Sequence, residues 1–465
     1  MSDKHDTVDL TSVLYDGMKS SGQWDLISAL MGDTQTMRDA KEKFTPKFEA
    51  ESPTNYDARL NSSFLYNIFK DTTNKASSKP FSVPATVEPE LKDDMALFIS
   101  DVDGTKQDLT SFASNVFKAG VMYGLSHILV DYPSDNNPMG RTAAQDTALM
   151  PVFSHVLAPQ LFAWEYGIID GNPMLTEIRI KEVATEKEGT WGSKQVDIIR
   201  VLTPNRWQIW RKEPGKKEYD QSDEGINTLN KIPLVTFYTN RTGFMTAVSP
   251  ILQLAWMNLA HWQSYSDQRN ILHYARVPFL FGSGFSNQGA KNGLAMGSTQ
   301  AILETAPEAK LGYVEPTGTA IDSGRTDLMD LETRMEILSM LPFIRKTGNK
   351  TATEAGINES QSSAEIQRWI RNIERMLEGA YEFASDWVKK PLPNDFKVNV
   401  YSDFVISQAG SDRIKDLILS YNSSLITAEE WRIEAKRTDF LGDSIKIEDA
   451  EIAEAQVNIN NGDEE

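Results

Sequence analysis

A chain of 465 residues that is 40% hydrophobic has the material for a large core and the length of about three domains. It contains no cysteine, which excludes a disulfide framework, thiolate catalysis and cysteine-ligated zinc. Lys+Arg number 47 against 66 Asp+Glu, a net charge of −19, so phosphate backbones should on average be repelled rather than gripped.

The start, MSDKHDTVDL, is polar and acidic and lacks the basic and apolar parts of a secretory signal. No run approaches the ~20 apolar residues that span a bilayer. The chain therefore reads as a soluble protein made in a cytoplasm, with no membrane partner. Residues 1–75 read as helices with polar breaks: DLTSVLYDGM, QWDLISALMG and YDARLNSSFLYNIFK carry apolar residues at helical spacing. Residues 73–84 read as a loop with a short extended piece. Residues 89–100 predict a helix with Leu91, Met95, Phe98 and Ile99 on one face. Residues 109–124 predict another, with Leu109, Phe112, Val116 and Gly120 together and Asp108 as its N-cap. HILVDYP (127–133) reads as a strand that ends at a proline.

From 151 to 238 the period changes to two, and TEIRIKEVA, QVDIIRVL, NRWQIWRK and IPLVTFY predict strands joined by polar turns. A helix of about 26 residues follows Pro250. VPFLFGSG is a strand and turn, and residues 285–318 are Gly-rich with short strands at QAILE and LGYVE. Residues 319–341 predict a second long helix. Residues 351–388 open with Thr351 and Glu354 at capping-box spacing. There Ile366, Trp369, Ile370, Ile373, Leu377, Ala380, Tyr381 and Ala384 form one apolar face. From Ser411 short helices lead to a tail in which residues 443–465 hold eight acids against one Lys.

One motif invites catalytic chemistry. FISDVDGTKQDL (98–109) contains D-x-D-G-T, the opening motif of haloacid-dehalogenase-type phosphohydrolases, where Asp101 would be the nucleophile and Asp103 a general acid beside Mg2+. That chemistry needs a buried parallel strand before the motif and a late acidic pair to hold the metal. The best late segment, LGDSIKIED (441–449), has Ile at the position where an acidic partner of Asp443 should stand. No βαβ alternation follows Asp101, so a polar turn is favoured. An EF-hand register places Ile99 and Thr110 at ligand positions. GSGFSNQG (282–289) misses the third glycine of a dinucleotide loop. The five histidines (5, 127, 155, 261 and 273) lack metal-ligand spacing, and no Walker or G-x-S-x-G sequence occurs. The chain reads as a non-enzymatic protein with no catalytic, cofactor or metal site.

The order of elements is the stronger signal. An α/β N-terminal part, a long helix, a small β-containing insert, a second long helix, a break and a longer amphipathic helix together resemble the portal proteins of tailed double-stranded DNA bacteriophages. The resemblance spans about 56–443 and is carried by residues 101–133, 232–284 and 351–388. It implies an α+β, mainly helical fold with wing, stem, clip and crown. Residues 1–245 would be wing, 246–276 a stem helix, 277–318 the clip and 319–342 the second stem helix. Residues 343–360 would be a tunnel loop, 361–407 the rest of the wing and 408–465 the crown with its acidic tail.

It also implies a homo-oligomeric ring, expected to hold twelve copies, at one capsid vertex of a virion assembled in the host cytoplasm. Such a ring meets the major capsid protein, the large terminase subunit and a head–tail adaptor, while double-stranded DNA passes without sequence-specific binding. Another virion structural protein without a channel is the alternative, beside the phosphohydrolase. Ring closure needs two different contact faces on each copy. Trp256, Trp262, Tyr265 and Tyr274 are the candidates on the first long helix. Asp322, Asp327, Asp330, Glu332 and Glu336 on the second are candidates for an acidic bore lining. Arg345, Lys346 and Lys350 are candidates for a basic ring at the constriction.

Overall fold

The computed structural model describes residues 22–91, 97–131, 150–275, 279–284, 308, 310–314, 318–339, 352–402, 417–423, 425, 427 and 431. Two compact units divide the chain, Met1–Tyr401 and Ser402–Glu465. The second contributes a short helical stretch at 417–422 and a Tyr421–Trp431 ring contact at 6.0 Å.

The first unit opens with helices α1 (Gln23–Met31), α2 (Asp33–Asp39), α3 (Pro53–Ser62) and α4 (Ile68–Ser78). The expected helix over 56–70 is broken in two because the chain supplies two caps. Ser52 accepts from the Asn55 amide and Asn67 accepts from the Lys70 amide, so a new helix starts at Ile68. That second helix runs to Ser78, so much of the expected loop at 73–84 is helical rather than extended, and the short strand β1 (Thr86–Glu88) lies just beyond it.

Helix α5 is Leu97–Ser100, and residues 89–91 are not helical, so the helix expected over 89–100 does not begin at 89; residues 92–96 lie outside the described residues. Helix α6 (Leu109–Tyr123) begins as expected at Asp108, whose side chain accepts from the Ser111 amide. It ends at Gly124 with φ 90°, where any Cβ would sit 2.6 Å from the Val248 carbonyl carbon. Glycine is required there by both conformation and space.

A three-stranded antiparallel sheet holds β2 (Leu125–Asp131) between β3 (Val152–Leu157) and β9 (Leu234–Tyr238). Helix α6 packs closely on it. Phe117 stacks on Phe237 at 5.4 Å, and a Cβ at Gly120 would collide with the Phe237 ring. The second sheet is an antiparallel meander of β4 (Leu161–Ile169), β5 (Asn172–Glu188), β6 (Gly192–Leu202), β7 (Arg206–Lys212) and β8 (Asp220–Ile226). Leu129, Trp164, Ile178, Ile180 and Leu234 belong to one buried cluster that joins the two sheets. A minor hairpin, β10 (Arg241–Gly243) with β11 (Thr246–Ala247), leads to the long helices.

These are α7 (Leu252–Ala275), α8 (Gly318–Leu338) and α9 (Ala352–Val388), with β12 (Phe279–Ser283) and β13 (Lys310–Val314) paired antiparallel between the first two. Strand β14 (Lys397–Asn399) returns to pair with β1. Among the described residues 45% are helical and 27% lie in strands, so the fold is mixed rather than mainly helical. The correction has a plain cause: the period-two region extends into a 17-residue strand β5 and a mostly polar strand β8 that alternation alone does not reveal. Helix α9 already begins at Ala352, so 352–360 of the expected tunnel loop is helical.

Candidate functional site

Helices α7 and α8 form the candidate stem. At ~1.5 Å per residue, their 24 and 21 residues span about 36 and 31 Å. They run antiparallel, because the cross-helix contacts ascend on one as they descend on the other. His261 Nε2 lies 3.2 Å from Glu332 Oε1, the Ser264 hydroxyl donates to Asp327 at 2.6 Å, and the Gln268 amide donates to the Ile321 carbonyl at 2.9 Å. Gly324 lies opposite Gln268, where a Cβ would strike the amide oxygen. Strand β12 follows the end of α7 in sequence and β13 precedes the start of α8, and the two strands pair antiparallel.

The middle of α7 is gripped by the N-terminal helices through buried and part-buried polar bonds. Trp262 Nε1 donates to Thr45 Oγ1 at 2.7 Å, and the Gln263 amide donates to the Phe44 carbonyl. Asn258 both accepts from the Phe69 amide and donates to the Tyr66 carbonyl. Arg59, its side chain 2% exposed, forms a two-pronged pair with Glu51 at 2.8 Å and reaches Ser266 and Asp267 on α7. Its guanidinium also lies 4.2 Å from the Phe48 ring centre. Glu51 is held ionised: the Arg59 hydrogen bond lowers its pKa against the raising effect of burial. Sequence reading missed this clamp.

The ring-contact candidates on α7 separate. Trp262 is fully buried within its own chain, so it has no surface for a neighbouring copy and is removed from that set. Tyr265 is half-buried and stacks on His261. Trp256 is 42% exposed and remains a candidate. The Tyr274 side chain lies outside the described residues.

The acidic candidates on α8 separate as well. Asp322, Asp330 and Glu336 are exposed, whereas Asp327 and Glu332 turn toward Ser264 and His261 of α7. Five acids stand against Arg325 and Arg334 on this helix. Met335 is the sole buried residue of α8 among those described, while Met329, Ile337 and Leu338 are 56%, 52% and 41% exposed. Arg345, Lys346 and Lys350 lie outside the described residues.

The D-x-D-G-T stretch is a self-contained turn. Asp101 accepts from the Lys106 amide, and Asp103 accepts from the Thr105 amide, the Thr105 hydroxyl and the Gln107 amide. Burial would raise the Asp103 pKa, but the Thr105 and Gln107 hydrogen bonds hold it below the ordinary value. The motif follows a helical turn, α5, rather than the end of a buried strand. Nothing in this geometry aims either carboxylate at a substrate. No cluster of three metal-ligating side chains occurs among the described residues.

His127 and His155 are structural. His127 bonds to Thr236 and His155 to Ser126, both at the three-stranded sheet. Burial pushes the His127 pKa down to about 3, with the nearby His155 adding to it, and pushes His155 down to about 4. No helix among the described residues is long and apolar enough to cross a membrane.

A family described as a domain of unknown function, DUF4055, matches residues 250–388, the stretch from the start of α7 to the end of α9. No curated protein matches the chain. Similar solved structures include the neck of an empty GTA particle computed with C6 symmetry, with TM-score 0.41 and 9% identity over 79% of this chain and 88% of that one. The virion of a native gene transfer agent particle gives TM-score 0.39 and 10% identity over 86% of this chain and 98% of that one. The native GTA neck computed with C12 symmetry gives 0.39 and 9% over the same shares.

Proposed function

We propose that the chain is the subunit of a portal-type ring at one vertex of a virus-like capsid, a conduit for double-stranded DNA rather than an enzyme. The observation that carries this reading is the state of α8. A helix with one buried residue and three large apolar side chains exposed gains little from its own chain. Isolated helices are marginal in water, so such a helix needs cover from elsewhere. A second copy supplies it if the exposed side of α7 at Trp256 meets Met329 and Ile337 of the next α8. That contact joins unlike faces, and such head-to-tail contacts close into a ring where the rotation between copies closes.

The polar clamp on α7 fits the same role, because a stem that bears on neighbours has to be fixed in its own wing. Under this reading Asp322, Asp330 and Glu336 leave an acidic strip past which phosphates slide without a deep electrostatic well. The β12–β13 tip is the docking end for the packaging motor and the head–tail adaptor, and the wing meets the capsid protein. The basic trio Arg345, Lys346 and Lys350 touches DNA at the constriction. Replacing all three by Ala is expected to reduce DNA retention while leaving the ring intact; unchanged retention discards that assignment.

Negative-stain imaging of the purified protein tests the main reading. Rings with a central hole support it, and a homogeneous field of single compact particles under every assembly condition removes it.

A further inference from the structure

A groove of about 430 Å³ opens between strand β9, the loop after it and the first half of the described face of α9. It is lined by Arg241, Arg368 and Arg375 together with Thr236, Asn240 and Asn372, and no carboxylate is among its lining residues. In a chain of net charge −19 that composition is the opposite of the average surface.

The arginines of the groove differ from those of the five-stranded sheet. There Arg179, Arg200, Arg206 and Arg211 each pair with a carboxylate. Arg368 and Arg375 are exposed and, among the described residues, form no hydrogen bond or ion pair. Arg241 is held in place by the Gly243 carbonyl at 3.0 Å and by the Tyr238 ring 5.0 Å away. Asn372 is fixed by donating to the Tyr238 carbonyl at 3.0 Å. The groove is therefore a set of placed donors with free positive charge, the donor type suited to planar recognition of phosphate.

We infer that this groove binds the phosphate backbone of duplex DNA. Arg368 and Arg375 stand two helical turns apart, about 10.5 Å along α9. Arg371 lies between them on the same face and is also exposed, so the row continues past the groove. A single small anion neutralises one such guanidinium, whereas a repeating phosphate chain neutralises the row. The inference deepens the channel reading and rests on it for the source of the DNA. The overall negative charge keeps the contact local and salt-sensitive.

The test uses the full-length protein and a labelled duplex of about 30 bp, with anisotropy read between about 50 and 200 mM salt. Arg368→Gln/Arg375→Gln should weaken binding at least about tenfold at low salt and flatten the log–log salt slope by about 2. Lys187→Gln/Lys217→Gln, which removes equal charge from exposed sites on and beside the five-stranded sheet, should leave both values unchanged. Polyglutamate and inorganic phosphate should compete poorly.

The proposal is overturned by a wild type that does not bind DNA, by an arginine variant with unaltered affinity and slope, or by equal loss in the lysine control. Tighter binding of polyglutamate or free phosphate than of DNA also overturns it. Particle mass is measured on the same samples, so failure of DNA binding in an intact ring is distinguished from failure of the ring itself.

Discussion

Helices α8 and α9 both read in the sequence as long helices, but their surroundings differ. Helix α9 buries Ile366, Trp369, Ile370, Ile373, Met376, Leu377, Ala380, Tyr381 and Ala384 against the sheets and α6 of its own chain. Helix α8 buries Met335 and leaves Met329 and Ile337 in solvent. An apolar stripe shows that a helix has a face to cover. It does not show whether the cover comes from the same chain. Here α9 joins the sheets and α6 of its own chain, while α8 keeps large apolar side chains exposed.

The sharpest way to break the comparison is to weaken α9. Trp369→Ala opens a large cavity in a fully buried site, and about 4 kcal/mol of stability should be lost. Thermal or denaturant unfolding measures it, and a loss below about 1 kcal/mol would mean that α9 is not the organising helix. Arg59→Ala should follow at about 3 kcal/mol, because the buried Glu51 carboxylate loses its paired cation and α7 loses its clamp. The same unfolding measurement decides it.

Acid should act on the sheet beneath α9. His127 and His155 resist protonation when folded, and the unfolded chain takes up protons once the pH falls below about 6.5. Their contribution is complete above that pH and is lost as the pH falls toward about 3 and 4. At pH 5 about 2 kcal/mol per histidine should be gone. An unfolding midpoint that is flat between pH 7 and 5 would contradict the burial of both rings.

Much of this was legible in the residues. The 3.6-residue repeat of Ile366 through Ala384 marked the buried face of α9, and Asp108 followed by Leu109 marked a helix start. The antiparallel meander announced itself where apolar residues alternated. Strand β8, DQSDEGI, carries almost no apolar side chain and forms through backbone pairing with β7, so alternation missed it. The Arg59 clamp joins residues 8 and 208 positions apart, a separation with no periodic trace. Trp262 looked like a contact residue because aromatics crowd α7, yet its indole points to Thr45. The arginines at 368, 371 and 375 were present at helical spacing, but that no carboxylate lines the groove around Arg368 and Arg375 emerged only with the fold around it.

The smallest effect on the single chain belongs to α8, and it carries the central claim. Met329→Ser/Ile337→Ser changes two exposed side chains and should shift unfolding by no more than about 0.5 kcal/mol. The decisive measurement is the native mass of the purified assembly, for wild type and for this variant. The account predicts a wild-type particle of about twelve times 52.1 kDa and a variant that falls to small species. A wild type that stays at 52.1 kDa under every assembly condition, or a variant that assembles as wild type does, would contradict it.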